Sequence, residues 1–390
     1  MKAIPQYDAI VIGAGSVGNP TAYFLAREGL RTLVIDELAS SGQGQNKAAI
    51  GGVRATHSDP AKIRLCQQSL DVFSHWKETC GTDIGWKMGG YCFPAFDEKV
   101  EATVKGLLPV QKKYRLHIDW LDAEGIRSVV PGISERGLRG GTYSPDDGQV
   151  NPLLASESFT NEAVRLHAEY RYRESVKSLI LRGNAVVGVC TDRAEYRAGT
   201  VINASGVHAS EVCRMAGLDI PVLPESHEGG ISAPIQPFLG PLIVDLRPGP
   251  EGKTTNFYFG QDANGQISFC YTPLVPFSGE NRTSTYEFMP IIAARLVELI
   301  PRLKNLTIRR VWRGLYPMTP DGSPVVGKVP NVEGFVLGVG MCGQGFMLGP
   351  GVGLNLASLV ARGSPAIDRE VFNLLSPSRD LYAGKKETLK

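Results

Sequence analysis

Residues 8–36 read DAIVIGAGSVGNPTAYFLAREGLRTLVID, and this stretch decides the fold. The short apolar run Ala9–Ile12 stops at Gly13, as a buried strand does. Helical spacing follows through Ala22, Phe24, Leu25 and Ala26 and closes at Gly29, a C-cap residue type. Thr32-Leu33-Val34-Ile35 is a second buried strand ending at Asp36. The turn inside this strand–helix–strand unit, Gly13-Ala14-Gly15-Ser16-Val17-Gly18, is G-x-G-x-x-G. In a chain with 45 glycines the triplet alone is a weak signal. Between strand and helix it has a mechanism. Gly13 permits the tight turn, Gly15 lets a diphosphate approach backbone N–H groups, and Gly18 lets the helix pack on the strand. Ser16 and Val17 lie where the helix N-terminus places partial positive charge. Pro20, in the first helical turn, costs little. Asp36 ends its strand at the distance needed to accept hydrogen bonds from ribose hydroxyls, with Glu37 beside it.

Two distant elements return to this unit. Thr200-Val201-Ile202-Asn203-Ala204-Ser205-Gly206 is a buried strand ending in small residues. Met341-Cys342-Gly343-Gln344-Gly345-Phe346 is a glycine turn between a strand at 334–340 and an apolar helix at 350–361. A helix starting near that turn can aim its dipole at the pyrimidine edge of a flavin, where reduction places negative charge. A plain NAD domain has no use for these returns, so FAD is the expected cofactor. Between them, 61–80 and 151–168 have helical spacing, and 172–201 reads as strands and turns. Residues 220–285 read as an antiparallel sheet followed by a helix at 288–300. Residues 86–145 read as short mixed segments, and the tail after Ser364 as polar and peripheral.

The expected fold class is α/β, with a discontinuous Rossmann-like FAD-binding domain of the glutathione reductase type over 1–85, 146–222 and 313–375. A second, α+β substrate domain on a mixed or antiparallel sheet takes 86–145 and 223–312, and 376–390 form a tail. A length of 390 residues suits two intertwined domains. Lys plus Arg number 41 against 39 for Asp plus Glu, which gives no reason to expect nucleic acid or an anionic membrane as partner. The seven cysteines are scattered without a CxxC pair, so no zinc or iron–sulfur site is encoded and no metal is expected. They suit buried positions in a reducing compartment. Residues 1–5 show no signal-peptide architecture, and no apolar stretch has membrane-spanning length. A cytoplasmic protein is expected.

From Tyr7 to about Val360 the chain resembles the D-amino acid oxidase/sarcosine oxidase-like FAD-dependent oxidoreductases. The resemblance is carried by IVIGAGSVGNPTAYFLAREG (10–29), GGVRA (51–55), GQVNP (148–152), TVINASGVHAS (200–210), TPDGSPVVG (319–327) and VGMCGQGFMLGPGVG (339–353). HEGGISAPIQPFLGPLIVDLRP (227–248) adds a likeness to β-type subunits of multi-subunit sarcosine, proline, hydroxyproline and opine dehydrogenases or oxidases. The resemblance implies hydride transfer from a carbon bearing an amine to flavin N5, with electrons passed to a partner subunit or carrier. It also places Val176 against the adenine and Ala204 and Gly206 near the cofactor. Asn46, Gly52, Gly343, Gln344, Gly345, Phe346 and Met347 complete the cofactor-binding candidates.

The resemblance assigns Arg54 to the substrate carboxylate, a role suited to a permanently charged, bidentate guanidinium. The bland alternative is an arginine in a polar loop. Tyr316 stands where glycine oxidase-like members carry an arginine, which moves the reading toward sarcosine- or proline-type substrates. It would otherwise be a core tyrosine. Tyr258 and Tyr271 lie on the sheet expected to cover the flavin, although aromatic residues on strands are commonly core. His227 and His57 are weaker candidates than the tyrosines, and His57, three residues after Arg54, could reach the pocket rim. Gly314 falls where monomeric sarcosine oxidases carry the cysteine that links covalently to FAD, so non-covalent FAD is expected. Their two lysines near the flavin fall near Ile267 and Met347. The absence of both cations argues for a dehydrogenase over an oxidase. Two readings stay open beside it: an oxygen-using oxidase of glycine, sarcosine or a D-amino acid, and a non-catalytic or electron-relay FAD subunit.

Overall fold

The computed structural model describes residues 6–383 and 387–389; the leader reading of residues 1–5 lies outside them. Two sheets organise the chain. In the first, Gln6–Ile12 pairs in parallel with Thr32–Asp36 on one side and Glu195–Asn203 on the other. Phe335–Val339 extends the sheet beyond Glu195–Asn203, and Glu169–Tyr172 beyond Thr32–Asp36. Val325–Lys328 closes one edge antiparallel. Three distant stretches of chain thus bring their strand C-terminal ends to one edge. Strand alternation divides the burial. Ala9 and Val11 face a helical layer with Phe24, Leu65, Phe159 and Leu356, while Ile10 and Ile12 face Val189, Val201 and Leu337. The antiparallel pair Val176–Arg182 and Ala185–Thr191 supplies part of that second layer.

The second sheet is mixed. Leu223–Ser232 lies between Ile267–Pro273 and the long strand Ile308–Met318. Thr254–Gln261, Leu242–Asp245, Tyr91–Ala95, Gly140–Ser144 and Asp119–Asp122 continue it, and all neighbours run antiparallel except Leu242–Asp245 beside Tyr91–Ala95. The helix Phe288–Leu299 covers one face over Phe257, Phe259 and Phe269. Ile308–Met318 belongs wholly to this sheet, so the domain boundary expected at 313 falls inside a strand.

Three segments differ from the sequence reading. The mixed stretch 86–145 contains a helix, Glu98–Lys113, started by Asp97, whose carboxylate accepts from the Val100 N–H. Gly106 and Pro109 within it disguise the pattern. The helix expected at 350–361 begins at Gly345 and runs to Arg362 with Pro350 inside its second turn. Its glycines permit close approach: a Cβ on Gly349 would lie 1.9 Å from the Ser16 carbonyl oxygen, so the helix packs on the glycine turn itself. The tail is not peripheral. Phe372, Leu375 and Leu381 are buried, Arg379 pairs with Asp321 at 2.8 Å, and Glu387 and Leu389 are only 6% and 2% exposed.

Candidate active site

A cavity of about 720 Å³ opens where the parallel strands end, the place where open α/β sheets bind ligands. Gly13, Gly15, Ser16 and Val17 line it, together with Asp36, Glu37 and Val176. So do Asn46, Gly52, Ala204, Gly206 and the run Gly343–Met347. Gly13 has φ +105°, and a Cβ there would come within 2.5 Å of the Ala204 carbonyl oxygen, so the turn and the returning strand touch backbone to backbone. Around Gly15 the corresponding space is open to 4 Å, as a diphosphate requires. Asp36 accepts from the Ala14 N–H at 2.7 Å and the Leu38 N–H at 2.8 Å. It holds the turn while each oxygen keeps a lone pair for a ribose hydroxyl. Gly18, expected among the cofactor-binding residues, does not line the cavity. A Cβ there would meet the Gly13 carbonyl oxygen at 1.8 Å, so its part is helix-to-turn packing.

The cavity wall also carries buried polar atoms without partners: Asn46 Oδ1, Gln344 Oε1 and His227 Nδ1. Such atoms are costly unless a ligand or water satisfies them. The glycine cradle, the helix starting at Gly345 and these open acceptors fit a bound dinucleotide flavin.

On the side of the second sheet, Tyr258 and Tyr316 bring their hydroxyls to 2.9 Å from neighbouring parts of the wall. Burial pushes both phenols up, so both keep their protons. His227 stacks on Tyr316 with ring centroids 3.9 Å apart and planes 11° from parallel. Its strand partner is Gly314, so Tyr316 is its diagonal neighbour. Burial lowers the imidazole pKa and keeps the ring neutral. Arg54 lines the cavity and is 5% exposed. Its Nη1 donates to the Thr56 carbonyl, its Nη2 donates to the Leu389 carbonyl at 2.7 Å, and its guanidinium lies over the Phe93 ring. Gly314 lines the cavity with Ala48 opposite: a Cβ would come within 2.5 Å of the Ala48 Cβ.

Three positions fall elsewhere. Tyr271 packs on Phe288 in the core of the second sheet, outside the cavity wall. His57 is fully buried behind the site, with Nε2 3.5 Å from the Cys66 sulfur, and does not reach the rim. Ile267 is also core. The residues of its strand that face the cavity are Cys270, Thr272 and Pro273, none of them a cation. Sequence reasoning passed over the buried Glu228–Arg313 pair at 3.0 Å, although Glu228 lines the cavity. It also passed over Asp147, which accepts from the Ala55 N–H beside Arg54. The first pair meets only because Glu228 and Arg313 sit opposite each other across two strands, a register that sequence alone does not supply.

The family model of DAO, FAD dependent oxidoreductases, matches residues 8–359. The chain belongs to this family. FAD is therefore its cofactor, and the enzyme class is an FAD-dependent oxidoreductase. A curated relative, the formaldehyde-forming 4-methylaminobutanoate oxidase of Paenarthrobacter nicotinovorans, is 25% identical over 92% of this chain. The chain spans less than half of that relative, 44%. Glycine oxidase of Pseudomonas aeruginosa is 28% identical over 92% of this chain and 96% of its own length. Among solved structures, the L-proline dehydrogenase from P. horikoshii superposes with a TM-score of 0.90 at 26% identity, over 98% of this chain and 100% of that one. No described helix of this family member is long and apolar enough to cross a membrane.

Proposed function

We propose that this flavoenzyme oxidises a small carboxylated secondary amine, of the sarcosine, proline, hydroxyproline or opine type, at the carbon beside nitrogen. Its electrons pass to a partner subunit or carrier. The observation that carries this reading is the trio of Tyr258, Tyr316 and neutral His227 gathered with Arg54 in the same cavity as the dinucleotide cradle. Bound FAD supplies a two-electron acceptor for the C–H bond next to nitrogen.

The chain's own residues do the rest. Arg54 holds the carboxylate; of the paired phenols of Tyr258 and Tyr316 one donates to the other, and the second keeps its O–H to donate toward the same end of the substrate. Neutral His227, stacked on Tyr316 in the cavity wall, is the imidazole placed to take a proton from the ammonium, which must react as the free amine. The cofactor sits without a covalent link through residue 314, where a glycine faces Ala48. A partner as electron acceptor is supported by the cation-free strand beside Tyr258 and by exposed Val275, Phe277 and Tyr286 flanking cavity-lining Pro276 and Arg282.

Anaerobic addition of sarcosine, L-proline, D-proline, hydroxyproline, glycine, D-alanine and opines, one at a time, tests the reading. Bleaching of the FAD absorbance by a secondary amine, with slow recolouring in air, is expected. Fast recolouring with peroxide release would mark an oxidase. Retention of full colour with every amine would defeat the catalytic reading.

A further inference from the structure

Behind Arg54 lies a buried ionic cluster that the chemistry above does not use. Glu387 Oε1 accepts from the Ser58 backbone N–H at 2.8 Å and from its hydroxyl, and from the Leu389 N–H at 3.2 Å. The Thr388 N–H donates to the Ser58 hydroxyl oxygen at 3.1 Å. Glu387 Oε2 lies 3.7 Å from Lys62 Nζ and 3.9 Å from His57 Nδ1. Lys62 and His57 are wholly buried. Burial alone would raise the Glu387 carboxyl, but the Lys62 cation and the Ser58 donors outweigh it and hold the group charged. Burial and the Arg54 cation keep His57 neutral. The Leu389 side chain is packed among Tyr91, Phe93 and Leu242, and its carbonyl accepts from Arg54 Nη2.

Arg54 has five N–H donors on one rigid plane. Two carbonyls, of Thr56 and Leu389, fix that plane while the residue still lines the cavity. The Thr56 contact is local in sequence. The Leu389 contact comes from more than three hundred residues away and exists only while segment 387–389 stays seated on Ser58 and Lys62.

We infer that Glu387 and Leu389 are positioning residues: segment 387–389 is a strap that sets the Arg54 guanidinium for the substrate carboxylate and so tunes affinity for acidic substrates. This deepens the proposed function and rests on its assignment of Arg54 to the carboxylate. A preorganised guanidinium binds a carboxylate without first giving up side-chain freedom, and a loose one does not. The strap therefore bears on substrate affinity although it touches neither substrate nor cofactor.

The test uses the full-length, FAD-loaded protein and two non-reacting probes, read by perturbation of the flavin absorbance spectrum. Tetrahydro-2-furoate carries the carboxylate on an oxygen ring, and tetrahydrofurfuryl alcohol has the same ring without the charge. Glu387→Ala unseats the ionic anchor, and Leu389→Gly removes the apolar anchor with the ionic cluster intact. Both are expected to weaken furoate binding about tenfold, the scale of one charge-assisted hydrogen bond. Alcohol binding should stay unchanged, and Glu387→Asp should recover part of the furoate loss. Arg54→Ala run in parallel separates the two ideas. Furoate binding that survives Arg54→Ala would sink the carboxylate assignment itself. Loss in Arg54→Ala, with wild-type affinity in both strap variants, would overturn the strap alone. Equal weakening of furoate and alcohol would reduce the segment to a structural part and also overturn it. Should Glu387→Ala fail to fold, Leu389→Gly still decides.

Discussion

Gly343 provides a sharp test of how the cofactor side and the substrate side of the cavity are joined. It has φ +79°, and a Cβ added there would lie 2.2 Å from Cε2 of Tyr316 and 2.4 Å from its Cδ2. Alanine in left-handed backbone costs about 1 kcal/mol. Forcing the Tyr316 ring aside in a packed wall costs a further ~1–3 kcal/mol. The ring cannot yield freely, because it stacks on His227 and shares a hydrogen bond with Tyr258. Gly343→Ala should therefore destabilise the protein by about 2–4 kcal/mol and move the Tyr316 hydroxyl off Tyr258. The cradle of Gly13, Gly15 and Asp36 is built from another part of the chain and should still hold FAD. Urea unfolding gives the stability change, the ratio of flavin to protein absorbance gives FAD content, and the furoate probe gives affinity, expected to fall roughly ten- to hundredfold. The double variant Gly343→Ala/Tyr316→Ala removes the ring that the Cβ meets, so it should be more stable than the two single effects summed. Strict additivity, or unchanged furoate affinity in Gly343→Ala, would refute the claim that Gly343 is small to make room for Tyr316.

Tyr258→Phe removes one member of the hydroxyl pair; kcat/KM for the amine that bleaches the flavin should drop about tenfold or more, with FAD content unchanged. Denaturing the wild-type protein in acid should leave all flavin in the supernatant, and Gly314→Cys should not retain flavin either but should melt earlier, because its Cβ overlaps Ala48. Asp147 titrates against the fold. Burial, opposed by the Ala55 N–H, Ser144 and Arg54, raises its pKa from 3.8 to about 7. Between those values the folded state holds a proton that the unfolded chain releases, so this contribution is full below 3.8 and is lost as pH rises to about 7. Urea unfolding at several pH values should show that slope in the wild type, about 1.4 kcal/mol per pH unit per proton, and its absence in Asp147→Asn.

The first sheet was legible because its signals are local. Ala9–Ile12, the glycine turn and Thr32–Asp36 declare strand, turn and strand within thirty residues, and TVINASG and the 334–340 run declare the returns. Almost all of the expected nucleotide residues line the cavity for that reason. What was not legible depends on packing between segments far apart. The helix Glu98–Lys113 hid behind an interior glycine and proline that a helix tolerates when its apolar face is covered by a sheet. The tail read as peripheral because Lys385, Lys386 and Glu387 look solvated. No local pattern announces that Glu387 is buried against Lys62.

The substrate side follows a different logic, since sequence could name its tyrosines but not sort them. Tyr258 and Tyr271 are both on neighbouring antiparallel strands and both suit a strand in composition. Register separates them: Tyr258 is paired with Cys270 and both line the cavity, while Tyr271 is paired with Phe257 and both join the core under Phe288. A slip of one residue would exchange the two faces and put Tyr271 and Phe257 on the cavity. The same holds across Leu223–Ser232 and Ile308–Met318, where His227 reaches Tyr316 only because it pairs with Gly314. The smallness of Gly314 is fixed from the opposite side by Ala48, and that of Gly343 by the Tyr316 ring itself. Gly343 and the tyrosine are therefore one constraint, while Gly314 answers to Ala48. The aromatic trio keeps its place because the backbone at Gly343 carries no side chain to push the Tyr316 ring off His227 and Tyr258.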